Sequence, residues 1–157
     1  MTEGAFITRS ETIKSRLYRT ALMYLGSEHA ALDAVDEAIY RGFRGYKKLR
    51  EEAFFETWLT RLLINLCKDE LKRRDREITT DSIPEVSQEY LDTLPLKEAV
   101  SALPEDLKAV IILRYFTGLT LEETASALEI PRGTVSTRQK RALELLRLDL
   151  EEKEVGI

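Results

Sequence analysis

Residues 118–146 read GLTLEETASALEIPRGTVSTRQKRALELL, and this stretch decides the fold. It reads as two helices joined by a tight turn. Thr120 is placed to cap the first helix, with Glu123 reaching back as the other half of a capping box. Leu121, Thr124, Ala125 and Leu128 recur at helical spacing and give one buried stripe. Ile130-Pro131-Arg132-Gly133 stops that helix, because a proline forces the residue before it out of the helical region and suits the opening of the next helix. The second helix is predicted over Thr134 to Leu150. At about 100° per residue, Val135, Ala142 and Leu146 share one side. Ser136, Thr137, Lys140 and Arg141 share the other, with Arg138 on the flank. The major groove of DNA accepts a helix of this kind, and the first residues of such a helix meet the base edges. An αα-hairpin inside any helical domain has the same periodicity. It does not explain why the outer face gathers Arg132, Arg138, Lys140, Arg141 and Arg147 against few acids.

Outward from this hairpin, strand signals are nearly absent and the few glycines and prolines fall between periodic segments, so the fold class is all-α. The first helix is predicted from Ser10 to Leu25, with Ile13, Leu17, Ala21 and Tyr24 as its stripe. Gly26 ends it and Ser27 caps the next. The second helix, Glu28 to Tyr46, is expected to bury Leu32, Val35, Ile39 and Phe43 and to show Asp33, Asp36, Glu37 and Arg41. Those charges fit a solvated face, and they also fit a protein-docking face.

Lys47 to Ala53 reads as a polar loop. A third helix from Phe54 to Arg76 carries the stripe Phe55, Trp58, Leu59, Leu62, Leu66 and Leu71. Arg61, Asn65, Lys68 and Lys72 fall on another side. Asparagine is a mediocre residue for a helix interior. Asn65 is either a polar residue on a wet face or a side chain offering donor and acceptor to a base.

Glu77 to Leu94 lacks periodicity, is acidic, and reads as a flexible linker. At about 3.3 Å per residue it reaches several tens of Å, comparable with one or two duplex turns of roughly 34 Å. The expected organisation is therefore a helical domain over 1–76, a linker over 77–94 and a helix-turn-helix domain over 95–157. In the latter, Leu96 to Leu103 and a helix opened by Pro104-Glu105-Asp106 precede the hairpin. Leu107, Val110, Ile111 and Leu113 to Phe116 are expected to supply its core.

The chain has 157 residues and a net charge of -4, which alone argues against nucleic acid. The distribution matters more than the sum. Lys68, Lys72, Arg73, Arg74 and Arg76 form one basic cluster and the helix after Pro131 forms another, with the acids concentrated between them. A single cysteine, Cys67, excludes an internal disulfide and reads as a small buried residue, and a lone His29 offers no metal set. No apolar run approaches the roughly 20 residues that span a bilayer, and no signal-peptide core is evident. A cytoplasmic chain without cofactor, metal or membrane insertion is expected.

The chain resembles, over nearly its whole length, bacterial RNA polymerase sigma factors of the small extracytoplasmic-function group. Ala31-Leu32-Asp33-Ala34-Val35-Asp36-Glu37-Ala38 is similar to the family's acidic polymerase-clamp-binding helix. Phe55 to Leu62, then Asn65-Leu66 and Asp69 to Arg74, resemble the helix that reads the minus-10 element. Leu103-Pro104 through Leu113-Arg114-Tyr115, Gly118-Leu119-Thr120 and Gly133-Thr134-Val135 resemble the minus-35-binding domain. The resemblance implies a non-enzymatic factor lending promoter specificity to core RNA polymerase, held inactive by an anti-sigma factor that is often membrane-bound. It assigns Asp33, Asp36, Glu37 and Arg41 to core polymerase, and Phe55, Arg61, Asn65, Lys68 and Lys72 to minus-10 DNA. Arg132, Ser136, Thr137, Arg138, Lys140 and Arg141 fall to minus-35 DNA. A minus-10 base would flip into a pocket near the Lys47–Phe54 loop, with Asn65 lining it. The acidic linker would thread polymerase channels.

Departures are Asp36 for a usual glutamine, Ser136 and Thr137 for a basic-serine pair, and Gln139 for an apolar residue. The promoter sequence therefore does not carry over from a relative. Other readings are a helix-turn-helix regulator that never touches polymerase, a polymerase-binding decoy without initiation activity, and a nucleic-acid enzyme. The last lacks any metal cluster, nucleophile–base pair or phosphate-cradling glycine loop in the sequence.

Overall fold

The computed structural model describes residues 1–76 and 94–155, and side chains within 1–76 and 95–147. The linker expected over Glu77–Leu94 lies outside the described residues except for Leu94, which opens a helix. The chain divides into two compact units, Met1–Glu85 and Val86–Ile157. Every described element is helical.

The first unit packs three helices pairwise: α1 (Glu3–Leu25), α2 (Glu28–Gly45) and α3 (Phe55–Arg76). Helix α1 begins a full two turns before the expected Ser10, because Thr2 caps it, its hydroxyl accepting from the Ala5 amide at 3.1 Å. Phe6 then joins Ile13, Leu17, Ala21 and Tyr24 in the core. Gly26, at φ 67°, closes α1 with its amide on the Leu22 carbonyl at 2.8 Å. Ser27 caps α2 as expected, accepting from Ala30.

The stripe of α2 differs from the expected one. Ala31, Val35, Ala38 and Gly42 are buried, whereas Leu32 is 50% exposed, Phe43 is exposed and Ile39 is half-buried. The reason is close approach. A Cβ built on Gly42 would lie 2.9 Å from Leu59 Cδ1 and 3.4 Å from the Phe6 ring. Small residues let α2 sit against its neighbours, and the larger apolar side chains turn outward. The segment read as a loop holds two 3₁₀ turns, Tyr46–Lys48 and Glu52–Phe54. On α3, Phe55, Leu59, Leu63, Ile64 and Cys67 are the buried line, while Trp58, Leu62, Leu66 and Leu71 are half-buried beside it.

The second unit contains α4 (Leu94–Ser101), α5 (Glu105–Ile111), a π-helical turn (Ile112–Thr117), α6 (Leu121–Leu128) and α7 (Arg132–Val155). Val110, Ala125 and Val135 meet at its centre, with Leu121, Leu128 and Ile130 packed around them. The capping box is present: the Thr120 hydroxyl accepts from the Glu123 amide at 3.1 Å, and Glu123 Oε1 accepts from the Thr120 amide at 2.9 Å. Glu129 closes α6 in the left-handed region at φ 57°. Helix α7 starts at Arg132, directly after Pro131, and runs to Val155, past the expected end at Leu150. Of the expected core run Leu113 to Phe116, Leu113 is buried, Arg114 and Phe116 are half-buried and Tyr115 is exposed. The π-turn changes the face after Leu113. It is held by the Leu119 amide on the Leu113 carbonyl at 2.9 Å and the Thr117 hydroxyl on the Ile112 carbonyl at 3.3 Å.

Candidate nucleic-acid and polymerase interfaces

Three surfaces follow from these helices. The first is the outer face of α7. Val135, Ala142 and Leu146 are buried, which decides the side of the helix that faces the core. Arg132, Ser136, Thr137, Lys140 and Arg141 are consequently exposed, and Arg138 is half-buried. Two of the six candidate residues are already in ion pairs. Arg132 Nη1 lies 3.3 Å from Glu122 Oε1 on α6, and Arg138 Nε lies 3.7 Å from Asp106 Oδ2 at the start of α5. Both are partly exposed pairs, a class worth about 0–1 kcal/mol, so a phosphate could displace either carboxylate. The Thr137 hydroxyl donates to the Gly133 carbonyl at 3.0 Å. Its oxygen keeps lone pairs for an incoming donor. Ser136 and Lys140 stand one turn apart on the exposed side, and Arg141 follows them.

The second surface is on α3. Asn65 and Lys72 are exposed, and Arg61 and Lys68 are half-buried, all on one side at spacings of four, three and four. Phe55 does not belong with them. It is 0% exposed, with its ring 5.5 Å from Phe6 edge-on, 6.2 Å from Trp58 and 4.7 Å beneath the Arg9 guanidinium. The minus-10 contact expected of Phe55 is corrected to a core role, because the first turn of α3 points this ring inward. Arg9 is held over it by Glu56 at 2.9 Å and the Glu52 carbonyl at 2.8 Å. The basic end of α3 is likewise partly structural. Arg73 bonds Glu70 at 2.7 Å, and that bond holds the Glu70 carboxyl below its ordinary range. Arg74 Nη1 donates to the Leu25 carbonyl at 2.7 Å, filling an acceptor at the C-terminus of α1.

The third surface is on α2. Asp33, Asp36, Glu37 and Arg41 are all exposed. Glu37 and Arg41 pair at 2.9 Å, and His29 Nε2 lies 3.5 Å from Asp33. The sequence reading missed the apolar part of this face. Leu32 (50% exposed), Tyr40 (54%) and Phe43 stand among the acids, with Arg44 over the Tyr40 ring at 5.8 Å. The signal was available in the sequence: Leu32, Asp36 and Tyr40 repeat at four, on the side opposite Ala38 and Gly42. An acidic face interleaved with large apolar side chains suits a protein partner better than phosphate.

Cys67 is buried, and burial pushes its thiol up to about 12. His29 is exposed beside a single carboxylate. Among the described residues no group of three or more metal-ligating side chains comes together, and no helix is long and apolar enough to cross a membrane.

Comparison with known proteins gives the family of the chain. Residues 11–77 match the Sigma-70 region 2 family, and residues 99–148 match Sigma-70, region 4. The ECF RNA polymerase sigma factor SigW of Bacillus subtilis (strain 168) is 30% identical over 168 residues, covering 94% of this chain and 90% of that protein. The RNA polymerase sigma factor SigV of the same organism is 28% identical over 160 residues, covering 99% and 96%. Among solved structures, the sigma factor RpoE from Bartonella quintana, in complex with the anti-sigma factor NepR, superposes with a TM-score of 0.79 at 22% identity, covering 94% of this chain and 97% of that one. CnrH, in complex with the cytosolic domain of CnrY, gives 0.80 at 19% identity over 96% and 90%. These two structures speak to the fold, and the family matches speak to descent. Both region matches in order, together with a full-length relative at 30% identity, show that the chain belongs to the extracytoplasmic-function group of RNA polymerase sigma factors, which direct core polymerase to promoters.

Proposed function

We propose that α7 enters the minus-35 major groove, that the Arg61–Asn65–Lys68–Lys72 side of α3 meets the minus-10 element, and that the Asp33–Asp36–Glu37–Arg41 face of α2 docks on the polymerase clamp. The observation that carries this division of labour is the segregation of charge. The α2 face is acidic and apolar, whereas the exposed sides of α3 and the start of α7 are basic and polar. Carboxylates repel phosphate, and lysine and arginine attract it by releasing counterions. One chain thus presents one kind of surface for protein and another for DNA. Asn65, exposed between two cations, is the residue assigned to an extruded base.

In this reading the chain acts as a cytoplasmic initiation factor rather than an enzyme, with 1–76 and 95–157 as its working domains and 77–94 as the linker. An anti-sigma factor, in some organisms membrane-bound, is its expected regulator. The support for this is that RpoE, which shares its fold, was solved with the anti-sigma factor NepR, and CnrH, of the same fold, with the cytosolic domain of CnrY.

The test is run-off transcription by core polymerase and the full chain on a pool of randomised promoters. Enrichment of two separated sequence boxes is expected. A chain that binds core polymerase but yields no transcript is a decoy, and one that binds duplex but fails to co-purify with polymerase is an independent regulator.

A further inference from the structure

Two polar residues interrupt the apolar stripes of the second unit, and they meet. From Leu107, helical spacing runs through Val110 and Ile111 to position 114, where an apolar residue is due and Arg114 stands. From Val135 it runs through position 139 to Ala142 and Leu146, and Gln139 stands there. In the fold Arg114 Nε donates to Gln139 Oε1 at 2.8 Å, while its Nη1 donates to the Leu119 carbonyl at 2.6 Å. Leu119 directly precedes the N-cap of α6. One half-buried guanidinium, carried on the π-turn, therefore ties the entrance of the first helix of the helix-turn-helix to the N-terminal third of the second. π-turns of this sort mark functional positions more often than ordinary helix does.

We propose that Arg114 and Gln139 form a positioning pair that sets the rotation of α7 and thereby the sequence preference of the minus-35 contact. This rests on the reading above that α7 enters the major groove. Neighbours of Gln139 explain the leverage. Lys140 follows it and Ser136 lies three residues before it, so any rotation at Gln139 is passed to both. A helix with its side chains has a radius of about 5–6 Å. A turn of about 20° then moves a side-chain end by roughly 2 Å, more than the spread of hydrogen-bond lengths, about 2.7–3.2 Å. Burial of Val135 and Ala142 selects the side of α7 that faces the core, but it is non-directional and sets the angle less finely. A bidentate guanidinium sets it more finely, because its donors have fixed directions.

The experiment uses holoenzyme made from core polymerase and the full chain, selecting duplexes from a library randomised across the upstream box. Wild type, Arg114→Met, Gln139→Leu, the double variant and Gln139→Glu are compared. Discrimination between the selected and a scrambled upstream box, its salt slope and the thermal midpoint are measured for each. We expect Arg114→Met and Gln139→Leu each to lower discrimination about tenfold, the scale of one lost charge-assisted hydrogen bond. The double variant should be no worse than either single, because the two residues act as one unit. Gln139→Glu keeps an acceptor facing the guanidinium and should retain the wild-type preference. The salt slope should stay unchanged, since neither residue touches phosphate.

Additive losses, or a slope reduced by about one with Arg114→Met, would overturn the proposal in favour of direct DNA contact. A lowered midpoint with unchanged discrimination would reduce the pair to stability alone. Equal loss in Gln139→Glu and Gln139→Leu would also overturn it. If wild type itself enriches no upstream box, the recognition-helix reading fails and the pair falls with it. A wild-type box reproduced by every variant defeats the pair and leaves that reading standing.

Discussion

Phe55 offers a direct test of whether a residue at the head of α3 serves the fold or the DNA. Its ring is 0% exposed, edge-on to Phe6 at 5.5 Å and beneath Arg9 at 4.7 Å. Phe55→Ala removes the ring and leaves a cavity, and this class of change costs about 3–5 kcal/mol. The aromatic pair adds about 0.5–1.5 kcal/mol beyond area, and the cation–π contact about 0.5–1 kcal/mol. The loss should therefore fall in the upper half of the range. For a unit of this size 1 kcal/mol moves the midpoint by about 4–8 °C, so the first unit should melt at least about 16 °C lower. Phe55→Leu keeps most of the volume and should recover most of the loss. The assay is thermal and urea unfolding of the full chain, with the second unit as internal control. A Phe55→Ala midpoint within about 2–4 °C of wild type, the shift of about 0.5 kcal/mol, accompanied by a specific loss of minus-10 binding, would refute the burial argument and return Phe55 to the DNA surface.

Four further outcomes are expected. Lys140→Ala and Arg141→Ala should weaken minus-35 binding; a lost phosphate contact lowers the salt slope by about one unit, and a lost base contact costs about 1–3 kcal/mol and relaxes one position. Charge reversal at Asp36 and Glu37 together should reduce assembly with core polymerase in a pull-down while leaving far-ultraviolet circular dichroism unchanged. Asn65→Ala should leave stability within about ±0.5 kcal/mol yet relax discrimination at one minus-10 position, measured by transcription from duplex and from pre-melted promoters carrying each base there; unchanged activity and base preference would reduce it to a solvated side chain. The Cys67 thiol, raised from 9.0 to about 12 by burial, should resist alkylation at pH 8 until the first unit unfolds. Its folded pKa is the higher one, so its contribution to stability is full below pH about 9 and is lost as the pH climbs toward about 12.

Much of the fold was legible because periodicity and capping are local. Thr120 with Glu123, Ser27, Gly26 and Pro131 each marked a helix end that the structure has. Which side of a helix is buried was less legible where two stripes compete. On α2 the larger residues, Leu32 and Phe43, scored as core by hydrophobicity alone. The real packing surface is set by Ala38 and Gly42, because close helix approach selects for smallness. The π-turn at Ile112–Thr117 has no composition signature, and with it the inward placement of Arg114 was hidden. Arg132 and Arg138 read as unopposed cations because their partners, Glu122 and Asp106, lie on other helices. Phe55 carried both a core and a DNA expectation, and only its neighbours could separate them.

The bonds that close the first unit have a bearing on how it forms during synthesis. Arg9 meets Glu56 across 47 residues, and Arg74 reaches Leu25 across 49. Helices α1 and α2 can gain their hydrogen bonds as soon as they leave the ribosome, since those bonds are local. The long-range contacts must wait for α3, and their loop-closure entropy is spent before any reward arrives. Docking of α3 is thus the step expected to set the folding rate. A nascent chain halted before Phe55 would display two helices with Gly42 lacking its Leu59 neighbour and Phe6 lacking Phe55, the state most open to chaperone and protease.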